Sequence, residues 1–592
     1  MSIVIASSSE TQFSLNSLEA ASVAIAIGAC FAWPRLGSKW FSYLEHLFLR
    51  LARRPGLSVA VVGFSVILLR LAILPIHPVP VPFGADDFSN LLAADTFSHG
   101  RLTNPTPAMW VHFETIHIDM RPTYMSMYFP AQGLVLSAGK VLFGHPWFGV
   151  LAGGALMCAS ICWMLQAWLP PSWALLGGFL AVLRLALFSY WTSTYHNAGP
   201  ISAFGGALVL GGLPRLMRKP RVRHALMMSA GAAILLISRP YEGLLLCLPV
   251  LVVLSHWMIS SKDRPAAPVL FRSLAPGLAL LIAALAWMGY YDNRVFGHPL
   301  TLPYTVNRTT YALAPYYVWQ KLRPEPAYRH EEMRRFYHVE ELNDYYKIHK
   351  PFGFLKSTLI KAARAVFFFS GLVLLPPLFM LPWALRDRRI RFLVYCLLVL
   401  AAGMAIEIYL FPHYVAAFTA AFYAVGLQSM RHLRVWRPGG QSSGLALTRC
   451  IVAICVLMAV VRLFDRQLNC PVPERPVSTW ICNWFGPDHF VTQRSLIEHQ
   501  LQQIPGDQLA IVRYSPTHDP IDEWVFNAAD IDESKVIWAR EMNADANREL
   551  IQYYGNRRVW LVQPDQEPAI TPYPMPGQVT SVSRESVAWS RM

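Results

Sequence analysis

Twelve long apolar runs, each bounded by charged residues or by Pro and Gly, set the strongest limit on what this chain can become. The apolar core of a bilayer is about 30 Å thick and is crossed by a helix of about 20 residues, so runs of this length predict transmembrane helices. The predicted spans are 18–34, 57–75, 146–168, 172–190, 198–213, 224–237, 241–259, 274–291, 364–385, 391–410, 412–429 and 446–464. Two of them, 198–213 and 224–237, are shorter than the usual minimum of about 17 residues.

The composition agrees with a membrane protein, since 54% of the 592 residues are hydrophobic and 15% are charged. Typical soluble domains contain about 25% charged residues. These values exclude an ordinary cytosolic enzyme, a disordered chain and a small disulfide scaffold. The net charge of +15 is not gathered into one basic patch, so no nucleic-acid partner is predicted. We expect a polytopic α-helical membrane protein with about 11 or 12 transmembrane helices and the lipid bilayer as its partner.

Lys and Arg residues cluster in every second connection between the predicted spans. Such clusters lie at 35–54, 215–223, 262–272, 386–391 and 431–449. Because cytoplasmic loops are enriched in these residues, the clusters are predicted to be cytoplasmic. Three long segments then lie on the opposite face, at 76–145, 292–352 and 465–592. This predicts a multi-pass protein of the plasma (inner) membrane with extracytoplasmic loops and C-terminal segment.

The chain is predicted to divide into a transmembrane domain at 1–464 and a polar C-terminal domain at 465–592, which holds 11 Lys and Arg against 17 Asp and Glu. A helix is expected at 543–554 with Asn543 as its cap. Apolar, β-branched runs predict strands at 508–514, 535–539 and 557–562. This alternation predicts an extracytoplasmic α/β domain with parallel pairing. No GxGxxG motif follows any strand, so nothing indicates a nucleotide.

Two of the nine cysteines, Cys470 and Cys482, lie in the outward C-terminal domain. A disulfide can persist in an oxidising compartment, so we expect a bridge between them, with two separate thiols as the alternative. The other seven cysteines lie in or beside predicted spans, where cysteine behaves as a small hydrophobe.

Two adjacent carboxylates, Asp86 and Asp87, begin the first long outward loop just after a predicted span. Carboxylates at a membrane surface are costly unless they hold a cation, pair with a base or act on a substrate. The same loop carries Glu114 and His117, and a loop of this length in a compact helical protein is usually functional. The pair is therefore a candidate catalytic site, with a loop cap or a solvated turn as the alternative.

This arrangement resembles the GT-C superfamily, the membrane glycosyltransferases that use polyprenyl-phosphate sugars and include protein O-mannosyltransferases and the aminoarabinose transferase. The string Tyr290–Leu300, in which Asn293 precedes an aromatic-Gly-x-Pro sequence, resembles a segment that follows a mid-chain span in bacterial members. The resemblance implies transfer of a sugar from a polyprenyl-phosphate donor to an acceptor hydroxyl, on a lipid or a glycan, at the outer membrane face. A single base with in-line attack implies inversion at the anomeric carbon.

The resemblance places the general base on the acidic pair without saying which member. We prefer Asp87 slightly, with Asp86 as its orienting or cation-binding partner. The leaving phosphate needs cationic or hydrogen-bonding partners, and Arg239 is the leading candidate because it is the only Lys or Arg in a short outward loop. A salt bridge from Arg239 to Glu242 is the alternative. Further phosphate-binding candidates are His413, Arg294 and Arg70, and candidate substrate-binding residues are Glu114, His117, Tyr128, Gln132 and Tyr241.

Metal binding is left open by the sequence, and no other cofactor is predicted. A divalent cation bridging Asp86, Asp87 and the donor phosphate would match some members of the superfamily but not others. The pattern His112-x-Glu114-x-x-His117 also contains competent ligands. It lacks the HExxH order, so a hydrogen-bonded pair of loop histidines is the favoured interpretation.

Two functions of other classes remain as alternatives. A transporter or flippase of lipid-linked sugars would show ionisable residues deep in several spans and a repeated hydropathy pattern. The sequence has no such repeat, and the ionisable residue in mid-span is Arg184, for which Glu407 is the expected buried partner. A non-catalytic membrane assembly protein, with the C-terminal domain binding a partner, is the other alternative. The sugar, the acceptor and the prenol are not encoded in any motif.

Overall fold

The computed structural model describes residues 15–196, 198–260, 265–465, 467–468 and 491–574. Cys470 and Cys482, the predicted disulfide, lie outside the described residues. The chain divides into two compact units. The first comprises Met1–Thr106 and Ile116–Phe490, and the second comprises Pro107–Thr115 and Val491–Met592.

Eight helices of the first unit are long and apolar enough to cross a membrane, counted over the described residues. They are α1 (Leu15–Ala32), α3 (Pro55–Ile73), α7 (Trp147–Trp168), α10 (Gly199–Arg218), α12 (Pro240–Ser260), α13 (Ala267–Phe296), α19 (Arg388–Ile406) and α21 (Ser443–Leu463). Shorter apolar helices are α6 (Ala131–Phe143), α8 (Pro171–Ala181), which a π-turn extends to Ala186, and α11 (Val222–Ser238). The prediction of a polytopic α-helical membrane protein is confirmed.

The remaining helices of this unit are shorter or more polar. They are α2 (Ser38–Ala52), α4 (Gly84–Ser98), α9 (Tyr190–Ser193), α14 (Pro303–Tyr311), α15 (Glu331–Arg334), α16 (Glu341–His349), α17 (Gly353–Ser370), α18 (Leu381–Ala384) and α20 (Thr419–Val435).

Two predicted spans are not continuous helices. In 364–385, α17 ends at Ser370 and a 3₁₀ turn, Pro376–Met380, follows before α18. The helix ends before Gly371, whose φ of +53° lies outside the helical region. The two prolines that open the 3₁₀ turn lack backbone N–H groups and mark the beginning of the next segment. In 412–429, turns and a short 3₁₀ segment, Ala416–Phe418, precede α20. The second break places His413 in a turn instead of inside a helix.

The segment 76–145, which was expected to be a loop, contains the helices α4 and α6 and the single-turn helix α5 (Trp110–Phe113). Asp86 and Asp87 lie in the first turn of α4, where carboxylates interact favourably with the positive end of the helix dipole. The helices α4 and α6 approach closely at Gly133, where a Cβ atom would lie 2.6 Å from the Cβ of Ala93. Glycine at this position therefore allows α6 to pack closely against α4.

Arg184 is fully buried in the π-turn after α8, and its partner differs from the expected one. Its Nη1 lies 3.5 Å from Oε1 of Glu19 on α1. The prediction of Glu407 as the partner was wrong, because the fold brings α1, near the beginning of the sequence, next to Arg184. A buried charge of this kind requires an opposite charge nearby.

The second unit contains a four-stranded sheet with the order β4-β3-β5-β6. The strands are β3 (Gln508–Val512), β4 (Val536–Arg540), β5 (Arg558–Val562) and β6 (Ile570–Pro572), and the helices are α5 (Trp110–Phe113), α22 (Gln493–Gln503) and α23 (Ala544–Tyr553). The short hairpin strands β1 (Ile118–Asp119) and β2 (Met125–Ser126) belong to the first unit. The strand β3 pairs in parallel with both β4 and β5, and Asn543 caps α23 by accepting the N–H of Ala546 at 2.9 Å. The predicted α/β domain is confirmed.

Candidate active site

The side chain of Asp87 is enclosed at the beginning of α4. One carboxylate oxygen accepts the backbone N–H of Phe83 at 3.0 Å, and the other accepts the backbone N–H of Tyr195 at 3.0 Å. The residue is 0% exposed. Asp87 therefore joins the beginning of α4 to the chain that precedes α10.

Asp86, the preceding residue, turns its carboxylate toward a group of polar side chains and is 21% exposed. His117 lies with Nδ1 at 2.6 Å from Oδ1, and His196 lies with Nε2 at 3.0 Å from Oδ2. The hydroxyl of Tyr128 also donates to Oδ1. Burial alone would raise the pKa of Asp86, but the charges of His196 and His117, with their hydrogen bonds, hold this pKa well below its ordinary value. Asp86 is therefore ionised at neutral pH.

His196 lies between the two carboxylates, since its Nδ1 is 3.6 Å from Oδ1 of Asp87. Burial alone would lower the pKa of His196, but the charge of Asp86 and the hydrogen bonds to both carboxylates raise it to about 10. The imidazole is thus protonated at neutral pH and balances part of the negative charge of the pair.

His117 is held in an unusual backbone conformation, with φ at +62°. This left-handed region is uncommon for residues other than glycine, and such strain persists where surrounding contacts require it. Here its carbonyl oxygen accepts from the hydroxyl of Ser89 at 2.7 Å, and its N–H donates to the hydroxyl of Tyr337 at 3.4 Å. These contacts direct the imidazole of His117 onto Asp86.

A chain of ring contacts leads from the acidic pair to Arg239. The rings of His196 and His413 are 5.5 Å apart, and those of His413 and Tyr414 are 4.8 Å apart. The guanidinium of Arg239 lies over the ring of Tyr414, 4.2 Å from its centre. On another side, Tyr304 lies 5.8 Å from Tyr128. The carboxylate of Asp86 and the guanidinium of Arg239 therefore share one site lined by aromatic rings.

Arg239 lies between α11 and α12, and its Nη1 is 3.6 Å from Oε1 of Glu242. This ion pair is the alternative that the sequence predicted. It is longer than a direct hydrogen bond, and a guanidinium has five N–H donors, so the pair leaves Arg239 able to bind another acceptor. Burial alone would lower the pKa of Arg239, but Tyr304 and Glu242 raise it above its ordinary value.

Two predicted substrate-binding residues contact backbone carbonyl groups near the site. The amide of Gln132 donates to the carbonyl of Tyr195 at 3.2 Å, next to the N–H that Asp87 accepts. The hydroxyl of Tyr241 donates to the carbonyl of Gly403 at 2.9 Å, and its ring lies 5.5 Å from that of Tyr317. Both residues support the segments around the site.

Three other predicted residues lie in different surroundings. Arg70, on α3, donates from Nη1 to the carbonyl of Leu187 at 3.0 Å. Arg294 is exposed on the last turn of α13. Glu114 belongs to the second unit, where its carbonyl accepts from Arg540 at 3.2 Å. Binding roles for these three residues stay predictions.

Sequence reasoning missed His196 and Tyr190. Tyr190 is the last residue of the predicted span 172–190, and His196 lies in the short connection to the span 198–213, which is predicted to be outward. Counting histidines together with Lys and Arg in outward connections would have singled it out. Tyr190 offered no signal, because a tyrosine at the end of a span is typical of an interfacial anchor.

No group of three or more His, Cys, Asp or Glu side chains is arranged to hold a metal ion within the part of the chain that the structure describes. The oxygens of Asp86 are bound by the two imidazoles and by Tyr128. In the second unit, Nδ1 of His112 donates to the carbonyl of Arg540 at 3.0 Å. A divalent cation at Asp86 and Asp87 stays a prediction, and no step below uses one.

No protein-family model matches the chain, and no curated protein sequence matches it. Among solved structures it is similar to ArnT from Cupriavidus metallidurans in the apo state, with 13% identity, a TM-score of 0.45, and coverage of 85% of this chain and 92% of that one. ArnT bound to undecaprenyl phosphate gives 12% identity, a TM-score of 0.43, and coverage of 84% and 92%. The Archaeoglobus fulgidus oligosaccharyltransferase gives 11% identity, a TM-score of 0.43, and coverage of 84% and 68%.

These structures are what the chain is similar to, and the GT-C resemblance stays an expectation from the sequence. At identities of 13% or less and TM-scores of at most 0.45, the similarity assigns neither the reaction nor the substrates of this chain.

Proposed function

We propose that this chain is an integral-membrane glycosyltransferase that moves a sugar from a polyprenyl-phosphate donor to an acceptor hydroxyl, on a lipid or a glycan. One observation carries the proposal: the ionised carboxylate of Asp86 and the guanidinium of Arg239 share an aromatic-lined site in a bundle of apolar helices. Glycosyl transfer needs a proton acceptor and a partner for the leaving phosphate, and a lipid-linked donor needs an apolar environment for its chain.

In the proposed reaction, Asp86 accepts the proton of the acceptor hydroxyl as its oxygen attacks the anomeric carbon of the sugar. The bond between that carbon and the phosphate oxygen breaks, and the phosphate leaves with the bonding electrons. Arg239 stabilises the charge that develops on the phosphate by charge-assisted hydrogen bonds. A single displacement of this kind inverts the configuration at the anomeric carbon.

Asp86 is the base in this proposal, although the sequence slightly favoured Asp87. Both oxygens of Asp87 accept backbone N–H groups, and the side chain is shielded from any acceptor. Asp86 is partly exposed and keeps its charge. Asp87 then acts as the orienting residue, because it fixes the beginning of α4 that carries Asp86. The hydroxyl of Tyr128 would release Asp86 as the acceptor hydroxyl enters.

The positive-inside pattern supports the proposed location, the plasma (inner) membrane with the site and the C-terminal domain on the extracytoplasmic face. We also propose that the chain divides into a transmembrane domain at 1–464 and a C-terminal domain at 465–592. The acceptor lies on the extracytoplasmic face in this arrangement.

The test uses the full chain in lipid nanodiscs with a panel of undecaprenyl-phosphate-linked sugars and a cell-envelope extract as the source of acceptor. Release of undecaprenyl phosphate, followed by mass spectrometry, is expected for the unchanged protein, and release should be lost in Asp86→Asn. Asp545→Asn, the same substitution at a side chain that is 90% exposed on α23, is the matched control and should release the carrier at the normal rate. Equal release by the unchanged protein and by Asp86→Asn, or no release with any sugar, would contradict the proposal.

A further inference from the structure

Tyr190 and His413 form a buried pair at the site, although 223 positions separate them. Tyr190 opens the short helix α9, and His413 lies in the turn between α19 and α20. The tyrosine hydroxyl lies 2.9 Å from Nδ1 of His413 and 3.0 Å from the backbone nitrogen of the same residue. Both distances are those of hydrogen bonds.

These two bonds connect the hydroxyl of Tyr190 to the question of which ring nitrogen of neutral His413 carries the hydrogen. The backbone N–H of His413 can only donate, so the tyrosine oxygen accepts it. The hydroxyl keeps a single hydrogen of its own, and when this hydrogen is directed at the neighbouring Nδ1, that nitrogen accepts it. A neutral imidazole with an accepting Nδ1 carries its hydrogen on Nε2.

The Nε2–H group of His413 has no hydrogen-bond partner among the residues that the structure describes, and the residue is 2% exposed. Buried donors in native proteins are nearly always satisfied, so an orphaned one calls for a bound group. The ring lies 5.5 Å from His196 and 4.8 Å from Tyr414, whose face carries Arg239. Two positive groups therefore lie near this donor. The two carboxylates of the acidic pair balance the charge of His196, so Arg239 is the charge that favours an anion here.

We propose that Tyr190 is a positioning residue that holds His413 in the Nε2–H form, so that His413 donates this hydrogen to a phosphate oxygen of the donor lipid. The inference rests on the proposed function and adds a role for Tyr190, which contacts His413 and not the substrate. A neutral donor with a fixed hydrogen binds the phosphate before and after the sugar leaves. Arg239 supplies the charge, and the Tyr190–His413 pair supplies a directed hydrogen bond.

The experiment measures the affinity of the full chain in nanodiscs for undecaprenyl phosphate and for undecaprenol, the same lipid without the phosphate. Four variants are compared: Tyr190→Phe, His413→Gln, His413→Asn and the double variant Tyr190→Phe with His413→Gln. The side-chain amide of glutamine reaches the position of Nε2 and always carries N–H donors. The shorter asparagine reaches only the position of Nδ1. Tyr423→Phe is the matched control, because this buried tyrosine has no hydrogen-bond partner among the described residues.

We expect Tyr190→Phe and His413→Asn to weaken undecaprenyl phosphate binding about tenfold, a loss of about 1.4 kcal/mol, with undecaprenol binding unchanged. His413→Gln should bind within about threefold of the unchanged protein, and Tyr190→Phe should have little further effect in that background. Such coupling is the signature of a residue that acts through its neighbour. Tyr423→Phe should bind both lipids normally.

Three results would overturn the inference. Normal undecaprenyl phosphate binding in Tyr190→Phe or in His413→Asn would show that His413 makes no Tyr190-dependent hydrogen bond to the phosphate. An equal loss of undecaprenol and undecaprenyl phosphate binding would show a packing role instead. If the unchanged protein binds the two lipids equally, both the inference and the proposed donor class fail. If Arg239→Ala loses the preference for the phosphate while the Tyr190 and His413 variants keep it, the inference fails and the proposed function stands.

Discussion

Asp86 and Asp87 are neighbours in the sequence, but α4 directs their carboxylates into different surroundings. Asp87 accepts two backbone N–H groups and is fully buried, while Asp86 meets two imidazoles and a phenol at a partly open position. The donors to Asp87 are backbone N–H groups that the fold holds in place, whereas the donors to Asp86 are side chains that can rotate away when an acceptor hydroxyl enters. The two residues therefore have separable roles.

Asparagine substitutions should separate these roles. Asp86→Asn should lower turnover by about 10²–10⁴-fold with little change in melting temperature, because the amide keeps the shape but cannot accept the proton. Asp87→Asn leaves one of two buried N–H groups without an acceptor and should lower the free energy of unfolding by about 1–3 kcal/mol. Turnover and thermal unfolding of both variants in nanodiscs check the prediction. Loss of turnover in Asp87→Asn with normal stability, and normal turnover in Asp86→Asn, would move the base to Asp87.

His196→Gln should change how activity depends on pH. The imidazolium lowers the pKa of Asp86, so removing it should move the acid limb of kcat/KM to higher pH. His99→Gln is the control, because His99 follows the last residue of α4, is exposed and pairs with Asp95. An acid limb at the same pH in His196→Gln and in the unchanged protein would refute the electrostatic role.

The same histidine should make stability depend on pH at the alkaline end. Its pKa of about 10 in the folded chain exceeds the value of about 6.5 in an unfolded chain. The stabilisation is therefore fully present below about pH 6.5 and is lost as the pH rises toward 10. Melting temperatures between pH 6 and pH 10 should fall more steeply for the unchanged protein than for His196→Gln, and parallel curves would disprove this.

Arg239 can be tested against its ion pair. Arg239→Ala should raise the donor KM about tenfold or more, and Arg239→Lys should restore part of it, because an ammonium keeps the charge but loses the planar fork. Glu242→Gln removes the ion-pair partner at 3.6 Å and should lower the melting temperature with donor KM nearly unchanged. An unchanged KM in Arg239→Ala would remove this residue from the site.

At the scale of elements, the turn that carries His413 depends on a glycine in α10. A Cβ atom on Gly206 would lie 1.8 Å from the carbonyl oxygen of Ala417, so the helix and the 3₁₀ segment Ala416–Phe418 touch backbone to backbone. Gly206→Ala must push this segment away, and His413 with it. Core overpacking costs about 1–3 kcal/mol, and we expect weaker undecaprenyl phosphate binding as well.

Gly426→Ala on α20 is the matched control for this prediction. A Cβ atom there meets no heavy atom within 4 Å, so the substitution adds a methyl group without a clash. Alanine also favours the helix over glycine by about 1 kcal/mol. Gly206→Ala should lower both the melting temperature and the affinity for undecaprenyl phosphate, whereas Gly426→Ala should raise the melting temperature slightly and leave the affinity unchanged. Equal behaviour of the two variants would show that the close approach of α10 does not position the turn.

The elements themselves were predictable to different degrees. Apolar runs long enough to span a bilayer predicted the long helices, and the strands and cap of the C-terminal domain follow local patterns. The helices α4 and α6 were missed inside a predicted loop, because neither has the apolar length or the clear periodicity that marks a span. Tertiary contact at Gly133 stabilises them instead. The break of 364–385 lies between Gly371 and the prolines Pro376 and Pro377, and a hydropathy pattern takes no account of residues that interrupt a helix.

At the scale of the whole molecule, the alternating Lys and Arg clusters predict the membrane topology. Reporter fusions in 214–223 and 386–391 should be cytoplasmic, and a fusion at Gln500 should be extracytoplasmic. The prediction depends on charge counts alone and is independent of any family resemblance. A cytoplasmic reporter at Gln500 would require one span fewer and would place Asp86 and this residue on opposite faces of the membrane.

The sequence by itself determined the membrane character and the α/β nature of the C-terminal domain, and it predicted residues that lie in the candidate site, among them Asp86, Arg239 and His413. Apolar length, strand patterns and unusual charges are local properties that a reader of the chain can recognise. Only the tertiary structure decided which carboxylate is open, because the N–H that closes Asp87 comes from Tyr195, 108 positions away. It likewise decided that Tyr190 orients His413 from 223 positions away. Hydrogen bonds between distant segments leave no periodic trace in the sequence, because each needs only one donor and one acceptor brought together by the fold.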